Sequence, residues 1–291
     1  MTVFKEAMFY EKQQNGSVLC CLCPHNCIIS PDGAGICGVR KNMNGILYSQ
    51  IFKHVSSLAL DPIEKKPLSR FHPGSYILSV GSVGCNLKCP FCQNHSIARV
   101  KPDEVDTIIT SSGDLVEKAI ELKPQGNIGI AYTYNEPTIW YEYVYETAKL
   151  AKSKGLINVL VTNGYINREP LEKILPYIDA MNIDLKAYHD EFYRKIVKGS
   201  LEDVKAAIET SAKKCHVEIT TLIIPDLNDS IDEISEMSKW LSSISPDIPL
   251  HLSRFFPNYE MKDKLPTSVK ILTDLKHAAR RYLTYVYLGN V

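Results

Sequence analysis

The sequence predicts an α/β protein in which an open, partial (β/α)6 barrel follows an N-terminal cysteine-rich extension. From about residue 75 onward, apolar β-branched runs alternate with stretches that carry apolar residues at i, i+3 and i+4. Such alternation is typical of a parallel sheet with helical crossovers. Six or seven strand candidates are present, fewer than the eight strands of a closed barrel.

Each strand candidate is a short apolar run, and the helix candidates lie between these runs. In parallel α/β folds the chemistry lies in loops that follow the carboxyl ends of the strands. The expected strands are Tyr76–Val80, Ile128–Tyr132, Ile157–Thr162, Ala180–Leu185, Val217–Ile224, Leu250–Phe255 and Thr284–Leu288. The expected helices are Leu115–Leu122, Thr138–Lys154, Glu169–Ile178, Leu201–Lys214, Ile231–Ser243 and Val269–Leu283.

Residues 1–74 form the predicted extension, and residues 75–291 form the predicted barrel. The extension is rich in cysteine and turn residues, and it contains strand-like runs at Gly45–Ile51 and Val55–Leu60. The stretch Asp61–Gly74, with its three prolines, is expected to be a connecting segment.

The overall composition argues against several classes of partner. Lysine plus arginine and aspartate plus glutamate are equal at 33 each, which gives no global attraction to nucleic acid or to an anionic membrane. No apolar run approaches the roughly 18 residues of a membrane span. The first residues lack the pattern of a secretory signal. A cytoplasmic protein is therefore expected.

The cysteines give the first indication of chemistry, because eight of the nine fall into two tight groups. In a reducing compartment, clustered thiols favour metal ligation or redox chemistry over disulfides. Cys85, Cys89 and Cys92 follow the spacing C-x3-C-x2-C just beyond the first barrel strand. Three such thiolates suit an Fe–S cluster or zinc. Two alternatives stay open: a zinc site completed by His95, and a dithiol redox pair at Cys89 and Cys92.

The triplet, with the aromatic Phe91 directly before its last cysteine, resembles the radical S-adenosylmethionine (SAM) superfamily. The resemblance implies that Cys85, Cys89 and Cys92 hold a [4Fe-4S] cluster, whose open iron is chelated by the amine and carboxylate of SAM. One electron then cleaves SAM to methionine and a 5′-deoxyadenosyl radical. The resemblance also implies that Phe91 lies near the adenine.

Polar residues after the later strands are assigned to the SAM pocket by the same resemblance. Glu136 stands where the family has a Gly-Gly-Glu-Pro-like element that holds the SAM amine, although a carboxylate at a helix start is the alternative. The T-N-G and D-L-K elements are similar to those of activases of glycyl-radical enzymes. Tyr259 falls about where activases place a polar residue on the SAM ribose. The other expected pocket residues are Thr162, Asn163, Asp184 and Lys186.

Three further features of the strand ends bear on the pocket. Activases commonly have an aspartate directly before T-N-G, where this chain has Val161. Glu218 and Thr220 share one strand face and are expected to point into the barrel, either toward SAM or substrate or in structural hydrogen bonds. Tyr132 and Tyr134 are the aromatic residues of this region that are expected near the cavity.

The second cysteine group lies in the extension and indicates a structural metal site. It combines a C-x2-C pair with two more cysteines in a turn-rich segment, and zinc is favoured over a second Fe–S cluster. A metal would stabilise a segment that has few hydrophobic helices. Free thiols packed in a small domain are the alternative. The expected ligands are Cys20, Cys23, Cys27 and Cys37.

Taken together, the motifs resemble the AmmeMemoRadiSam system radical SAM enzymes, a group related to pyruvate formate-lyase activating enzyme. The resemblance covers essentially the whole chain and rests on CLCPHNC, GICGVR, CNLKCPFCQN, YNEPT, VTNGY, NIDLK and LSRFFPNYEM. It implies association with AMMECR1-family and MEMO-family proteins. An electron donor such as ferredoxin or flavodoxin is expected, and the substrate, by analogy with the activases, is expected to be a protein. A zinc- or cluster-binding scaffold without SAM turnover is the alternative.

Overall fold

The computed structural model describes residues 4–291, and two small antiparallel sheets form the N-terminal part of this range. Short strands separated by turns are what the turn-rich sequence predicts. One sheet has the strand order β2-β3-β4 and the other β1-β6-β5, and β6 corresponds to the predicted strand at Gly45–Ile51. The strands are β1 (Lys5–Glu6), β2 (Tyr10–Lys12), β3 (Val18–Cys20), β4 (Ile28–Ile29), β5 (Arg40–Met43) and β6 (Ile46–Ser49).

The main sheet has eight strands, seven of which run parallel. They are β8 (Ser57–Pro62), β9 (Tyr76–Gly81), β11 (Asn127–Tyr132), β12 (Ile157–Thr162), β13 (Ala180–Asp184), β14 (His216–Ile223), β15 (Leu250–Arg254) and β16 (Val286–Gly289). Their order is β16-β15-β14-β13-β12-β11-β9-β8, and β8 lies antiparallel to β9. The two end strands of this order do not pair with each other within residues 4–291, so the barrel is open. A separate pair consists of β7 (His54–Val55) and β10 (Ile108–Ile109).

Helices follow each of the first six parallel strands, which confirms the partial (β/α)6 barrel. Two of the predicted helices contain a 3-10 turn at a proline in place of regular α-helix, because proline lacks an N–H and favours the first turn of a helix. Pro137 begins the 3-10 turn Pro137–Trp140 before α3, and Pro176 lies in the 3-10 turn Leu175–Tyr177 after α4. The helices are α1 (His95–Ala98), α2 (Ser112–Glu121), α3 (Tyr141–Ser153), α4 (Arg168–Ile174), α5 (Asp190–Phe192), α6 (Leu201–Ala212), α7 (Ile231–Ile244) and α8 (Val269–Ala279).

The N-terminal part packs directly on the barrel. Arg40 of β5 forms a two-pronged ion pair with Glu142 of α3, with N–O distances of 2.9 and 3.1 Å, and both side chains are 1% exposed. Met8 donates its N–H to the same carboxylate and accepts from Arg40 through its carbonyl. One hydrophobic core runs through both parts. Strand β8 lies within residues 1–74, the predicted extension, yet it pairs with the barrel strand β9. A division of the chain at residue 74 therefore stays a prediction.

The connecting segment is held against the sheet by side chains of β13 and β14. Glu218 accepts hydrogen bonds from the backbone N–H groups of Ser69 and Arg70 at 2.9 and 2.7 Å. It also accepts from His216 and His251 at 2.9 and 2.6 Å. The carboxylate is fully buried, so of the two expectations for Glu218 the structural hydrogen bond is the one observed.

Candidate active site

A cavity of about 360 Å³ lies at the carboxyl ends of the parallel strands. Most side chains predicted for the site line this one cavity, although they are scattered over about 100 positions of sequence, because the carboxyl ends of neighbouring parallel strands share one edge of the sheet. Tyr259 is not among the lining residues. The predicted residues that do line it are Cys85, Cys89, Phe91, Cys92, Glu136, Thr162, Asn163, Asp184 and Lys186.

The loop with the cysteine triplet is fixed by the neighbouring strand end. Asn135 accepts a hydrogen bond from the Ser82 N–H at 2.9 Å and donates to the Gly84 carbonyl at 3.2 Å. Gly84 has φ +89°, and a Cβ added there would lie 2.7 Å from Val39 of the extension. A side chain at position 84 would therefore separate the extension from the loop that begins at Cys85.

The three cysteines are half-buried, and desolvation of the thiols raises the pKa of each one. The pKa of Cys89 rises to about 11, although the nearby Lys186 ammonium lowers it. Buried thiolates need a positive partner, and soft, adjacent sulfur donors fit an Fe–S cluster. Within residues 4–291, no three His, Cys, Asp or Glu side chains are arranged to hold a metal ion.

Glu136 connects the loops after β11 and β12. Its carboxylate is 2% exposed and accepts from Thr162 Oγ1 at 2.7 Å, from the Asn163 N–H at 2.8 Å and from the Thr138 N–H at 2.9 Å. Burial raises the pKa of Glu136, and these hydrogen bonds oppose that shift. The bond to Thr138 is the helix-start role expected as the alternative, and it coexists with a place in the cavity wall.

An ion pair also lines the cavity, where Lys186 Nζ is 2.6 Å from Asp184 Oδ2. Although burial disfavours the charged ammonium, Asp184 raises the pKa of Lys186 above its usual range. The pair gives the wall a carboxylate and a cation within one turn of chain, as the D-L-K element predicts. Val161 lines the cavity where activases commonly have an aspartate.

Two residues predicted for the site have other neighbours. The Tyr259 ring stacks on His95, with ring centroids 4.6 Å apart. His95 Nδ1 lies 3.2 Å from the carbonyl oxygen of Cys92. Tyr132 is fully buried, and its hydroxyl donates to Asn158 at 3.3 Å, so Tyr134 is the tyrosine of this pair that reaches the cavity.

Tyr134 belongs to a polar cluster that the sequence analysis missed. Its hydroxyl donates to Asp61 Oδ2 at 2.7 Å, and Lys66 Nζ donates to the same oxygen at 2.8 Å. The Lys66 ammonium also lies 4.7 Å from the centre of the Tyr134 ring. Tyr134 has φ +69°, which is rare for a bulky residue. The contact between Tyr134 and Asp61 spans 73 positions of sequence, so no local motif indicated it.

The extension cysteines differ in burial. Cys20 and Cys23 are buried, whereas Cys27 and Cys37 are half-buried. Burial raises the pKa of Cys23 to about 12, and it raises the pKa of Cys27 and Cys37 as well. The Nε2 atom of His25, which lies between Cys23 and Cys27, is 2.7 Å from the Asn86 carbonyl oxygen.

Comparison with known proteins decides the family. The model of the radical SAM superfamily matches residues 79–241, which include the cysteine triplet and the strand ends through β14. The chain belongs to the radical SAM superfamily. It is accordingly an enzyme of radical SAM chemistry, in which SAM is cleaved at a [4Fe-4S] cluster to generate a radical.

Several curated proteins are similar over most of the chain. An uncharacterized protein of Methanocaldococcus jannaschii is 43% identical over 99% of this chain and 85% of its own length. A putative glycyl-radical enzyme activating enzyme of the same organism is 30% identical over 70% of this chain and 76% of its own. The pyruvate formate-lyase-activating enzyme of Clostridium pasteurianum is 26% identical over 55% and 67%. The radical SAM enzyme is therefore related to the activating enzymes.

Solved structures agree on the fold. Streptococcus suis SuiB bound to S-adenosylmethionine has a TM-score of 0.56 at 15% identity, over 73% of this chain and 51% of SuiB. Methylornithine synthase has a TM-score of 0.52 at 16% identity, over 74% of this chain and 66% of its own. These similarities concern the fold alone.

Among residues 4–291, every helix is too short or too polar to cross a bilayer.

Proposed function

We propose that Cys85, Cys89 and Cys92 hold the cluster and that SAM occupies the cavity beside them. The observation that carries this proposal is that three half-buried cysteines, Glu136 and the Asp184–Lys186 pair line one cavity. The bound cluster supplies the electron that cleaves SAM. The surrounding residues bind SAM, orient it and limit the access of water.

The other predicted residues that line the cavity have proposed roles in holding SAM. The Phe91 ring, which is 4% exposed, packs near the adenine. Glu136 accepts from the SAM amine, while Thr162 and Asn163 fix the carboxylate of Glu136. Asp184 and Lys186 face the polar groups of SAM as a preformed pair, so little reorganisation is required on binding. We do not extend the proposal to Tyr259, because its ring stacks on His95.

We further propose that the radical abstracts a hydrogen atom from a protein, and that a backbone glycine is the target by analogy. This proposal is supported by relatives whose names describe activating enzymes of glycyl-radical enzymes and of pyruvate formate-lyase. The motif set supports membership of the AmmeMemoRadiSam system, with AMMECR1-family and MEMO-family proteins as partners. A ferredoxin or flavodoxin is the proposed electron donor, and the cytoplasm is the proposed location.

The substrate class can be tested by following the abstracted atom. The reconstituted enzyme would be reduced with SAM in the presence of a candidate partner protein deuterated at carbon. Abstraction from the partner transfers deuterium to 5′-deoxyadenosine, which mass spectrometry detects. Product that contains no deuterium with every AMMECR1-family and MEMO-family candidate would contradict these proteins as substrates. The same partner with hydrogen at carbon is the matched control.

For the extension we propose a bound metal at Cys20, Cys23, Cys27 and Cys37, either zinc or a second cluster. The C-x2-C pair and two further cysteines in one turn-rich segment support this proposal, and Cys20 and Cys23 are buried. Elemental analysis of protein purified without oxygen would distinguish the two metals, and a Cys23→Ala variant should lose the metal. Equal metal content in parent and variant would contradict the site.

A further inference from the structure

The sulfur of Cys85 accepts hydrogen bonds from two N–H groups, one of the backbone and one of a side chain. The Leu87 N–H lies 3.4 Å from Cys85 Sγ, and Asn163 Nδ2 lies 3.6 Å from it. The backbone donor is independent of side-chain identity, whereas the Asn163 amide is specific to this sequence. Hydrogen bonds to cluster sulfurs are among the factors that set the reduction potential of an Fe–S centre.

The orientation of the Asn163 amide is determined by the backbone around it. Asn163 Oδ1 accepts from the Tyr165 N–H at 2.9 Å, and that group can only donate. The Asn163 NH2 group must therefore face the other way, toward Cys85 Sγ and Asn86 Oδ1, the latter at 2.9 Å. The orientation of the Asn86 amide is also determined, because its Nδ2 donates to the Tyr165 carbonyl at 2.7 Å and its Oδ1 therefore faces Asn163.

The donor is also held rigidly. Asn163 is 5% exposed, and its backbone N–H donates to Glu136 Oε2 at 2.8 Å. Each polar group of the side chain has a partner, so the N–H that points at Cys85 is in place before any ligand binds. A fixed dipole of this kind costs little reorganisation when the charge on sulfur changes.

We propose that the side-chain amide of Asn163 raises the reduction potential of the cluster by donating to the Cys85 thiolate. Reduction places more negative charge on the sulfur, and the N–H dipole stabilises the reduced state more than the oxidised state. The inference rests on the proposed function in one respect, namely that Cys85 is a cluster ligand. It assigns Asn163 a role that a residue shaping only the SAM pocket would not have.

The test is a potentiometric titration of the reconstituted enzyme without SAM, monitored by the electron paramagnetic resonance signal of the reduced cluster. Asn163→Leu and Asn163→Ser both remove the amide donor. Loss of one charge-assisted hydrogen bond should lower the ratio of reduced to oxidised cluster at the parent midpoint about tenfold, which is about 59 mV for a one-electron couple. Asn258→Leu is the matched control, because Asn258 Nδ2 lies 3.5 Å from the carbonyl oxygen of Cys92 rather than from a sulfur.

Two results would contradict the role proposed for Asn163. Midpoints equal to the parent in both Asn163 variants, with normal iron content, would overturn the inference. Failure of both variants to load iron would also overturn it, in favour of a structural role for Asn163. If the parent chain itself forms no cluster, or if a Cys85→Ala variant forms the same cluster, the proposed function fails instead.

Discussion

Among single residues, Glu136 joins two strand ends through its buried carboxylate in the cavity wall. Three donors converge on its carboxylate, from Thr138, Thr162 and Asn163. Burial raises the pKa of Glu136, so the charge on this side chain depends on those donors. The residue therefore connects the cavity wall with the position of two strand ends.

We expect Glu136→Gln to lower the free energy of unfolding by about 1–3 kcal/mol, because an amide NH2 would replace an acceptor that faces buried donors. Urea unfolding followed by circular dichroism measures this change. Glu117→Gln, on the exposed face of α2, is the control and should remain within about 0.5 kcal/mol of the parent. Equal stability of the two variants would contradict the role of Glu136 in joining the strand ends.

Sequence reasoning found the residues whose positions follow from strand ends. Thr162 and Asp184 end strands, and Lys186 follows two residues later, so the parallel sheet brings them together. It did not find the cluster of Tyr134 with Asp61 and Lys66, because that contact joins the connecting segment to a strand end through tertiary packing. Tyr259 was placed by resemblance, and its ring conformation could not be derived from a motif.

At the scale of elements, β14 holds the connecting segment through Glu218. Burial alone would raise the pKa of Glu218, but hydrogen bonds from His216, His251 and the backbone of residues 69 and 70 lower it from 4.5 to about 2. A depressed folded-state pKa stabilises the protein above the unfolded value, and this stabilisation is lost as the pH falls through the folded value. The relevant window is therefore between pH about 4.5 and 2.

We expect Glu218→Gln to be less stable than the parent at pH 7 by on the order of 3 kcal/mol. The difference should shrink at pH 3, where the parent begins to lose the contribution of the ionised carboxylate. Unfolding by urea at both pH values measures the effect. A difference that stays constant between pH 7 and pH 3 would contradict the assignment of the low pKa to Glu218.

The contact between β5 and α3 depends on the buried Arg40–Glu142 pair. We expect Arg40→Met or Glu142→Leu alone to destabilise the protein by about 3–5 kcal/mol, because each leaves an unpaired buried charge. The double variant should be much less destabilised than the sum of the two. A double-mutant cycle on the exposed pair Arg168–Glu172 is the control, with a coupling below about 0.5 kcal/mol. Additive effects at Arg40 and Glu142 would contradict the pairing.

The barrel elements were predictable because their apolar periodicity is strong, and most strand ends differ by one or two residues from the predicted ones. The short helix α5 and the π-turn Tyr193–Val197 were missed. Both are stabilised by particular contacts, such as the His189 ring that accepts from the Phe192 N–H. The antiparallel pairing of β8 with the barrel was also missed, since three prolines nearby favoured a connecting segment.

On the scale of the whole molecule, the extension and the barrel meet at the triplet loop. Gly84 lies against Val39 and the Cys37 carbonyl, and His25 contacts the Asn86 carbonyl. The extension thus packs against the triplet loop. The family and the cofactors follow from motifs in the sequence, whereas this packing required the structure.

The central claim is that the Cys85–Cys92 loop supports radical cleavage of SAM. The most direct test is to quantify 5′-deoxyadenosine after anaerobic reconstitution and reduction, with Cys89→Ala and the control Cys215→Ala, which lies outside the cavity lining. We expect product from the parent and from Cys215→Ala, and none above background from Cys89→Ala. A loaded, reducible cluster that yields no product even with partner proteins would contradict the account and favour a cluster-binding scaffold.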